Sequence, residues 1–271
     1  MTTGNSLATV TGAPYPRPVT SGSPPPPGSL PDALYADPRL AACYDTFNGE
    51  RDDLDRYESI LAELGARTVV DIGCGTGALA VRLAASGLDV TGVDPAAASL
   101  EVARGKPSAE LVRWVLGTAE DLSTLVADAA VMTGNVAQVF VTDEGWASTL
   151  RALRATLRRG GHLVFESRRP ARRSWEEWQA ESAEQVWEVP GMGRVVGVGR
   201  PTLCEVELPL VTFADDFTFE DGSIVTSTTT LRFREERELR SSVEAAGFTV
   251  EEIRQAPDRP DREFVVIARA S

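Results

Sequence analysis

The sequence predicts an α/β fold, an open and mainly parallel sheet with helices on both faces, joined late in the chain by an antiparallel β insertion. Three observations predict it. Apolar, β-branched runs of strand length alternate with segments of helical spacing between Val69 and Glu166, the pattern of consecutive βα units. Glycines at every second position break the first strand, in Val69-Val70-Asp71-Ile72-Gly73-Cys74-Gly75-Thr76-Gly77, into a tight turn without bulky side chains. From Val186 to Phe233 the apolar period falls to two, with turn residues between the runs, as antiparallel strands require.

Composition sets the outer limits. With 271 residues, 42% apolar and 25% charged, the chain suffices for one α/β domain plus an insertion or small second lobe. Residues 1–33 are rich in Thr, Ser, Gly and Pro, with Pro24 to Pro27 in a row, and predict a disordered tail with little to bury. No apolar run is long enough for a signal peptide or a membrane span, so a cytoplasmic protein with no membrane partner is expected. The three cysteines, Cys43, Cys74 and Cys204, are odd in number and far apart, which fits a reducing compartment and gives no metal-ligand spacing. With His162 as the single histidine, no metal site is expected. A formal charge of -13 repels polyanions. A small-molecule acceptor is therefore expected rather than nucleic acid, and no residue pattern specifies an oligomeric state.

Two helices are expected before the first strand, over Asp37 to Phe47 and Asp52 to Leu64, the second with Leu54, Ile60, Leu61 and Leu64 on one face. Segments in this position can fold over a ligand mouth; Tyr44, Phe47 and Arg51 are the candidates for contact, the alternative being that Tyr44 and Phe47 pack the helices together. After the glycine turn, Ala78 to Ala85 has helical spacing and ends on Gly87, the residue type that best caps a C-terminus. The glycines thus lie between a strand end and a helix N-terminus, where free N–H groups and the positive end of the dipole gather. The second strand, Leu88 to Val93, stops at Asp94, and Pro95 suits the first turn of the next helix. In a right-handed βαβ unit the Asp94 carboxylate falls beside the glycine turn. There it can accept two hydrogen bonds from a ribose diol.

Dinucleotide sites usually read G-x-G-x-x-G. This chain reads G-x-G-x-G, with Asp71 two positions before the first glycine. The run Asp71 to Gly77, with Val90-Thr91-Gly92-Val93-Asp94 after it, resembles the class I S-adenosylmethionine-dependent methyltransferases. The resemblance implies a Rossmann-like sheet of seven strands whose last two are an antiparallel end, and S-adenosyl-L-methionine as cofactor. It implies cofactor contacts from Asp71, Gly73, Cys74, Gly75 and Gly77 in the turn, from Asp94 and Pro95, and from Tyr44 on a covering helix. It divides the chain into a cap over 34–64, a cofactor-binding core over 65–170, an insertion over 171–233, and a closing helix and strands over 234–271.

The helix Ala96 to Arg104 leads to a third strand, Leu111 to Leu116, and then to Gly117-Thr118-Ala119-Glu120-Asp121. A turn exposing N–H groups beside short polar side chains suits an adenine edge, which needs a donor and an acceptor. Where the resembled family often has an acid after the glycine, this chain has Thr118; the contacts then pass to the Ala119 N–H and to Glu120 or Asp121, unless those acids merely favour a helix start. The fourth strand, Ala129 to Met132, opens into Thr133-Gly134-Asn135-Val136-Ala137-Gln138, a crevice loop by the switch-point rule. It lacks the Asn/Asp-Pro-Pro-aromatic signature of enzymes that methylate base amines. Thr133, Asn135 and Gln138 either orient the methionine end or the acceptor, or satisfy a turn.

Trp146, Leu150, Leu153 and Leu157 form a helical stripe ended by Gly160-Gly161, a sheet cover. His162 opens the fifth strand at the end remote from the crevice, a surface position, and Glu166 closes it at the crevice end. Arg168, Arg169, Arg172 and Arg173 follow; they recognise an acidic acceptor by forked hydrogen bonds or form a solvated helix entrance paired with Glu176 and Glu177. Trp175 and Trp178 share a helix face, for packing or for an acceptor pocket. In the insertion, Pro190-Gly191, Gly199-Arg200-Pro201 and Asp221-Gly222 are turn signals, and Trp187, Phe213, Phe217 and Phe219 offer aromatic surface to a lid. Glu235 to Ala246 is helical again, and Phe248 to Ile253 and Arg262 to Ala268 are closing strands.

The chemistry that follows is SN2 methyl transfer from a sulfonium to a small-molecule, secondary-metabolite-type acceptor. Such a displacement needs a nucleophile about 3 Å from the methyl carbon, and alignment supplies roughly 7–11 kcal/mol in favourable intramolecular models. Glu166 is the candidate base where the acceptor is a hydroxyl or ammonium. Two alternatives stand beside this reading. One is a protein that binds the cofactor without transferring methyl, in a rearrangement or regulatory role; the other is an NAD-binding oxidoreductase, disfavoured by the glycine spacing.

Overall fold

A computed structural model describes residues 31–122, 125–180, 184–198, 202–256 and 259–271. The expected tail lies outside these residues up to position 30, as do the Gly199-Arg200-Pro201 turn and the side chain of Cys204. The tail boundary shifts, because Asp32 is already anchored: Thr229 Oγ1 donates to its Oδ2 at 2.5 Å. A short helix α1 (Ala33–Ala36) follows, unforeseen because four residues carry no periodicity.

Helices α2 (Pro38–Asn48) and α3 (Leu54–Glu63) form where expected. Asp37 caps α2 by accepting from the Arg39 and Leu40 N–H groups, and Pro38 occupies the first position, both favourable at a helix start. The core then alternates β1 (Thr68–Ile72), α4 (Ala78–Ala85), β2 (Asp89–Asp94), α5 (Ala97–Arg104), β3 (Val112–Leu116), β4 (Ala127–Met132), α6 (Asp143–Thr156) and β5 (Leu157–Arg168). Next come α7 (Ser174–Ala180), five strands β6 (Glu184–Val189), β7 (Gly193–Val198), β8 (Thr202–Glu207), β9 (Leu210–Phe219) and β10 (Ile224–Arg232), and then α8 (Glu236–Ala245), β11 (Phe248–Gln255) and β12 (Glu263–Ala270).

The large sheet has seven strands in the order β11-β12-β5-β4-β1-β2-β3. β1, β2, β3, β4 and β5 run parallel, while β12 is antiparallel to both of its neighbours, β5 and β11. Alternation along each strand feeds two cores. Val70, Met132, Phe165 and Val266 face α6 and α8, whereas Val69, Val131, Val164 and Val265 face α3 and α4. The β1/β4 neighbourhood is where the order reverses, which sets the ligand crevice at the carboxyl ends of those strands.

Two boundaries depart from expectation. Helix α6 ends at Thr156, not at Gly160-Gly161, and Leu157 is already extended and buried. Thr156 Oγ1 bonds back to Ala152 O at 3.0 Å, and the glycines sit within the irregular start of β5, where a Cβ on Gly161 would meet Asp128 O at 2.8 Å. Helix α5 begins at Ala97 rather than Ala96, because the Ala96 N–H is taken by the Asp94 side chain.

The insertion is a second sheet, β10-β9-β7-β6 with β8 on β9, turned at Asp221-Gly222, where Gly222 has φ +81°. One face of it packs on the cap. Leu40, Cys43 and Phe47 of α2 join Val195, Phe217 and Phe219, and Phe47 stacks on Phe217 with centroids 5.1 Å apart. Phe47 thus packs, the second of its two expected roles.

Candidate active site

β1 and β2 pair in register, Asp71 opposite Gly92 and Ile72 opposite Val93. The turn after β1 is held by that pairing: the Gly73 and Cys74 N–H groups donate to Val93 O at 2.8 and 3.1 Å. The Gly75 N–H donates to Asp94 Oδ2 at 2.8 Å, and Asp94 Oδ1 accepts from Ala96 N–H at 2.8 Å. Asp94 thus lies beside the glycine turn, with Pro95 bridging to α5.

The three glycines do different work. All have φ between +53° and +78°, which favours glycine. A Cβ on Gly73 would collide with Val136 at 2.6 Å and one on Gly77 with Trp114 at 2.5 Å, whereas one on Gly75 would meet nothing within 4 Å. Gly73 and Gly77 therefore allow close packing, and Gly75 faces open space. The Cys74 thiol lies toward Gly92, and burial raises its pKa well above the usual thiol range.

Asp71 is 1% exposed and its Oδ1 has no partner among the described residues. Burial, followed by the charge of Asp94, pushes its pKa up to about 7, while Arg51 draws it down. Arg51 itself is clamped by Asp53, with Nε and Nη2 each 2.8 Å from a carboxylate oxygen.

The cap closes over this turn. Thr76 Oγ1 donates to Asp45 Oδ1 at 2.6 Å, and Lys106 Nζ pairs with Asp45 Oδ2 at 2.6 Å. Ser99 Oγ donates to Tyr35 O at 3.0 Å. These bonds place Tyr44 over the crevice, its ring 5.5 Å from that of Tyr35. Both tyrosines are half-buried. Burial raises the Tyr44 hydroxyl; Arg51 and the bond to Tyr35 lower it, and Asp45 and Asp94 raise it.

On the far side stand two buried acids. Glu166 is 0% exposed; Tyr57 donates to its Oε2, and the Asn135 N–H donates to its Oε1 at 3.0 Å. Glu263, at the start of β12, accepts from Asn135 Nδ2 at 3.0 Å and from Arg259 Nη1 at 3.1 Å. Burial and then the charge of Glu263 push Glu166 up to about 7, against the pull of Tyr57 and Arg259. Asn135, at φ +62°, thus fastens the loop after β4 to both acids. Tyr57 and Glu263 were not singled out in the sequence; the signal for Glu263 is an acid directly before the apolar run Phe264 to Ala268.

The other expected site residues separate. The Thr118 N–H donates to Asp121 Oδ2 at 2.8 Å, so Asp121 serves the local turn. Ala119 is buried, Glu120 is exposed, and Thr133 is half-buried at the mouth of its loop. Gln138 is fully buried and accepts from Arg168 Nη1 at 3.0 Å. Of the four arginines, Arg168 turns inward, its guanidinium 5.4 Å from the Trp178 ring. Arg169 lies over Phe264, while Arg172 and Arg173 are exposed and Arg173 pairs with Glu176. Trp175 is buried against Phe233, and His162 contacts Glu251 at 3.2 Å, away from the crevice. Among the described residues there is no cluster of metal-ligating side chains and no helix long and apolar enough to cross a membrane.

Residues 69–161 match the methyltransferase domain family. A ubiquinone biosynthesis O-methyltransferase of Bordetella avium is 33% identical over 117 residues, 42% of this chain and 48% of that protein. The chain spans about half the length of the curated relatives it matches. In solved structures the fold recurs in the CcbJ methyltransferase of Streptomyces caelestis, with TM-score 0.68 and 23% identity over 86% of this chain and 96% of that one. It recurs too in a sugar N-methyltransferase of a Streptoalloteichus species, with TM-score 0.69 and 19% identity over 93% and 98% of the two chains.

The site fits the cofactor of that family on three observations: the unpartnered Asp71 oxygen, the open face of Gly75, and the Asp94 carboxylate at the end of the neighbouring strand. With the methyltransferase domain matched over residues 69–161 and the seven-stranded sheet order, they support a class I S-adenosylmethionine-dependent methyltransferase.

Proposed function

We propose that the chain transfers a methyl group from S-adenosylmethionine to a small-molecule acceptor. The observation that carries this reading is the pair of acids flanking Gly75: Asp71, buried with a free oxygen, and Asp94, held by the Gly75 N–H. When bound, the cofactor supplies a methyl already activated on a sulfonium, so the chain's own residues need only bind, orient and exclude water.

Asp94 retains acceptor lone pairs for a ribose diol, since a carboxylate offers about four sites and its two bonds here use only part of them. Asp71 is placed to take an ammonium, with Gly73, Cys74 and Gly77 shaping the turn behind. Thr118, Ala119 and Glu120 border the adenine end, where the Ala119 backbone is the better donor because the Thr118 N–H is occupied. Tyr44 covers the crevice and Thr133 borders it. Asn135 fastens its loop to two acids through its N–H and Nδ2 and keeps a buried Oδ1, without a partner among the described residues, for the cofactor or acceptor. Glu166 has a carboxyl near neutrality and is the proton acceptor within reach of that loop; held by Tyr57 and the Asn135 N–H, it is the base we propose where the acceptor must lose a proton.

The acceptor class we favour is a sugar or similar secondary metabolite, supported by the sugar N-methyltransferase of like fold and by the acidic surface, which disfavours nucleic acid. The test is incubation with S-adenosylmethionine and a panel of amino sugars and hydroxylated metabolites. Acceptor-dependent formation of S-adenosylhomocysteine is expected; tight cofactor binding with no turnover across a broad panel would favour a non-transferring role.

A further inference from the structure

Along β9 the residues alternate between two faces, and Val211, Phe213, Asp215, Phe217 and Phe219 share the inner one. A carboxylate in that row breaks an otherwise apolar surface. On one side of it Phe213 lies 5.1 Å from the Trp178 ring, which sits beneath Arg168. On the other, Phe217 stacks on Phe47 of the cap. Across the ladder Asp215 is opposite Ser227, whose Oγ accepts from the Leu34 N–H, one residue before Tyr35. Asp215 is therefore bordered by the insertion, α1 and α7, on the side that holds Trp178 and Arg168, the latter within reach of the charges of Glu166 and Tyr35.

Its Oδ1 is buried and has no hydrogen-bond partner among the described residues. Burial, and after it the charge of the neighbouring Asp216, another anion, raises its pKa to about 6. A carboxylate oxygen buried without a partner is costly, and a row built for packing alone has no use for one. Asp216, pointing outward, is satisfied by Thr226. We infer that Asp215 is a specificity-determining residue that binds a protonated amine of the acceptor, with Phe213 and Phe217 flanking the acceptor's apolar part. A cation satisfies the free oxygen and offsets the neighbouring anion, which a hydroxyl does only in part.

This inference rests on the methyltransferase reading, and the experiment separates the two. The probes are cyclohexylamine and cyclohexanol, observed by saturation-transfer NMR on the full chain saturated with S-adenosylhomocysteine, whose own binding is measured by calorimetry. Wild type is expected to bind the amine at least fivefold more tightly than the alcohol. The isosteric D215N variant should lose that preference with an unchanged cofactor dissociation constant, while D216N, on the outer face, keeps it. Equal binding of amine and alcohol, no binding of either, or a preference that survives in D215N overturns the inference. Failure of wild type to bind S-adenosylhomocysteine overturns the methyltransferase reading first.

Discussion

The Gly75 N–H donates to Asp94 Oδ2 at 2.8 Å, so the end of β2 and the turn after β1 are one unit. Replacing Asp94 removes both a ligand acceptor and a clasp on the turn. Asp94→Ala should weaken S-adenosylhomocysteine binding by about 1–3 kcal/mol, the cost of losing charge-assisted hydrogen bonds, with the protein still folded by circular dichroism. An unchanged dissociation constant would remove Asp94 from the site.

Gly75 and Gly77 should respond differently to alanine. Both are strained by a side chain at positive φ, roughly 1–2 kcal/mol, but Gly77→Ala also drives a methyl into Trp114 and Ala103. G77A should therefore lower the melting temperature more than G75A, whereas G75A should lose ligand affinity while remaining folded. Equal losses of stability would contradict the assignment of Gly75 to the ligand face.

Asp71 gives cofactor binding a pH dependence of defined sign. Its folded pKa of about 7 lies above the ordinary 3.8, so protonation favours the ligand-free folded state and stability falls as pH rises from about 4 to about 7. An ammonium beside Asp71 favours the ionised form instead. Affinity for S-adenosylhomocysteine should rise between pH 6 and pH 8 with proton release, and Asp71→Asn should abolish that rise.

The cap is latched by Asp45 to Thr76 and Lys106. Asp45 is 44% exposed, so the latch is worth under about 1 kcal/mol. Asp45→Ala should speed cofactor release by at most about fivefold in stopped-flow measurements, without loss of secondary structure. A release rate identical to wild type would mean that the cap does not gate exchange.

Glu263→Ala should take from Asn135 Nδ2 its shorter acceptor, leaving only Glu166 Oε1 at 3.5 Å. Leaving buried donors unsatisfied costs about 1–3 kcal/mol, so thermal unfolding should move down by several degrees, with Glu263→Gln intermediate. No shift would show that the Asn135 loop is held by Glu166 alone.

What was legible in the sequence follows physical range. β1, its glycine turn and Asp94 are fixed by neighbours in sequence and by one βαβ unit, and α4, the stripe of α6 and the antiparallel insertion carry their own periodicity. The Glu166, Asn135, Tyr57 and Glu263 network joins four separate elements, and no local spacing encodes such a meeting. Arg168 looked like one of four equivalent arginines until the end of β5 turned it inward. The end of α6 was misplaced because Gly160-Gly161 signals a helix stop, whereas here it serves a close backbone approach to Asp128.

Calorimetric titration of the wild-type chain with S-adenosylhomocysteine and, separately, with NAD tests the nucleoside cradle most directly. One-to-one binding of S-adenosylhomocysteine, weakened in D94A, with no heat from NAD, is the predicted result. Saturable NAD binding, or S-adenosylhomocysteine binding indifferent to D94A, would contradict it.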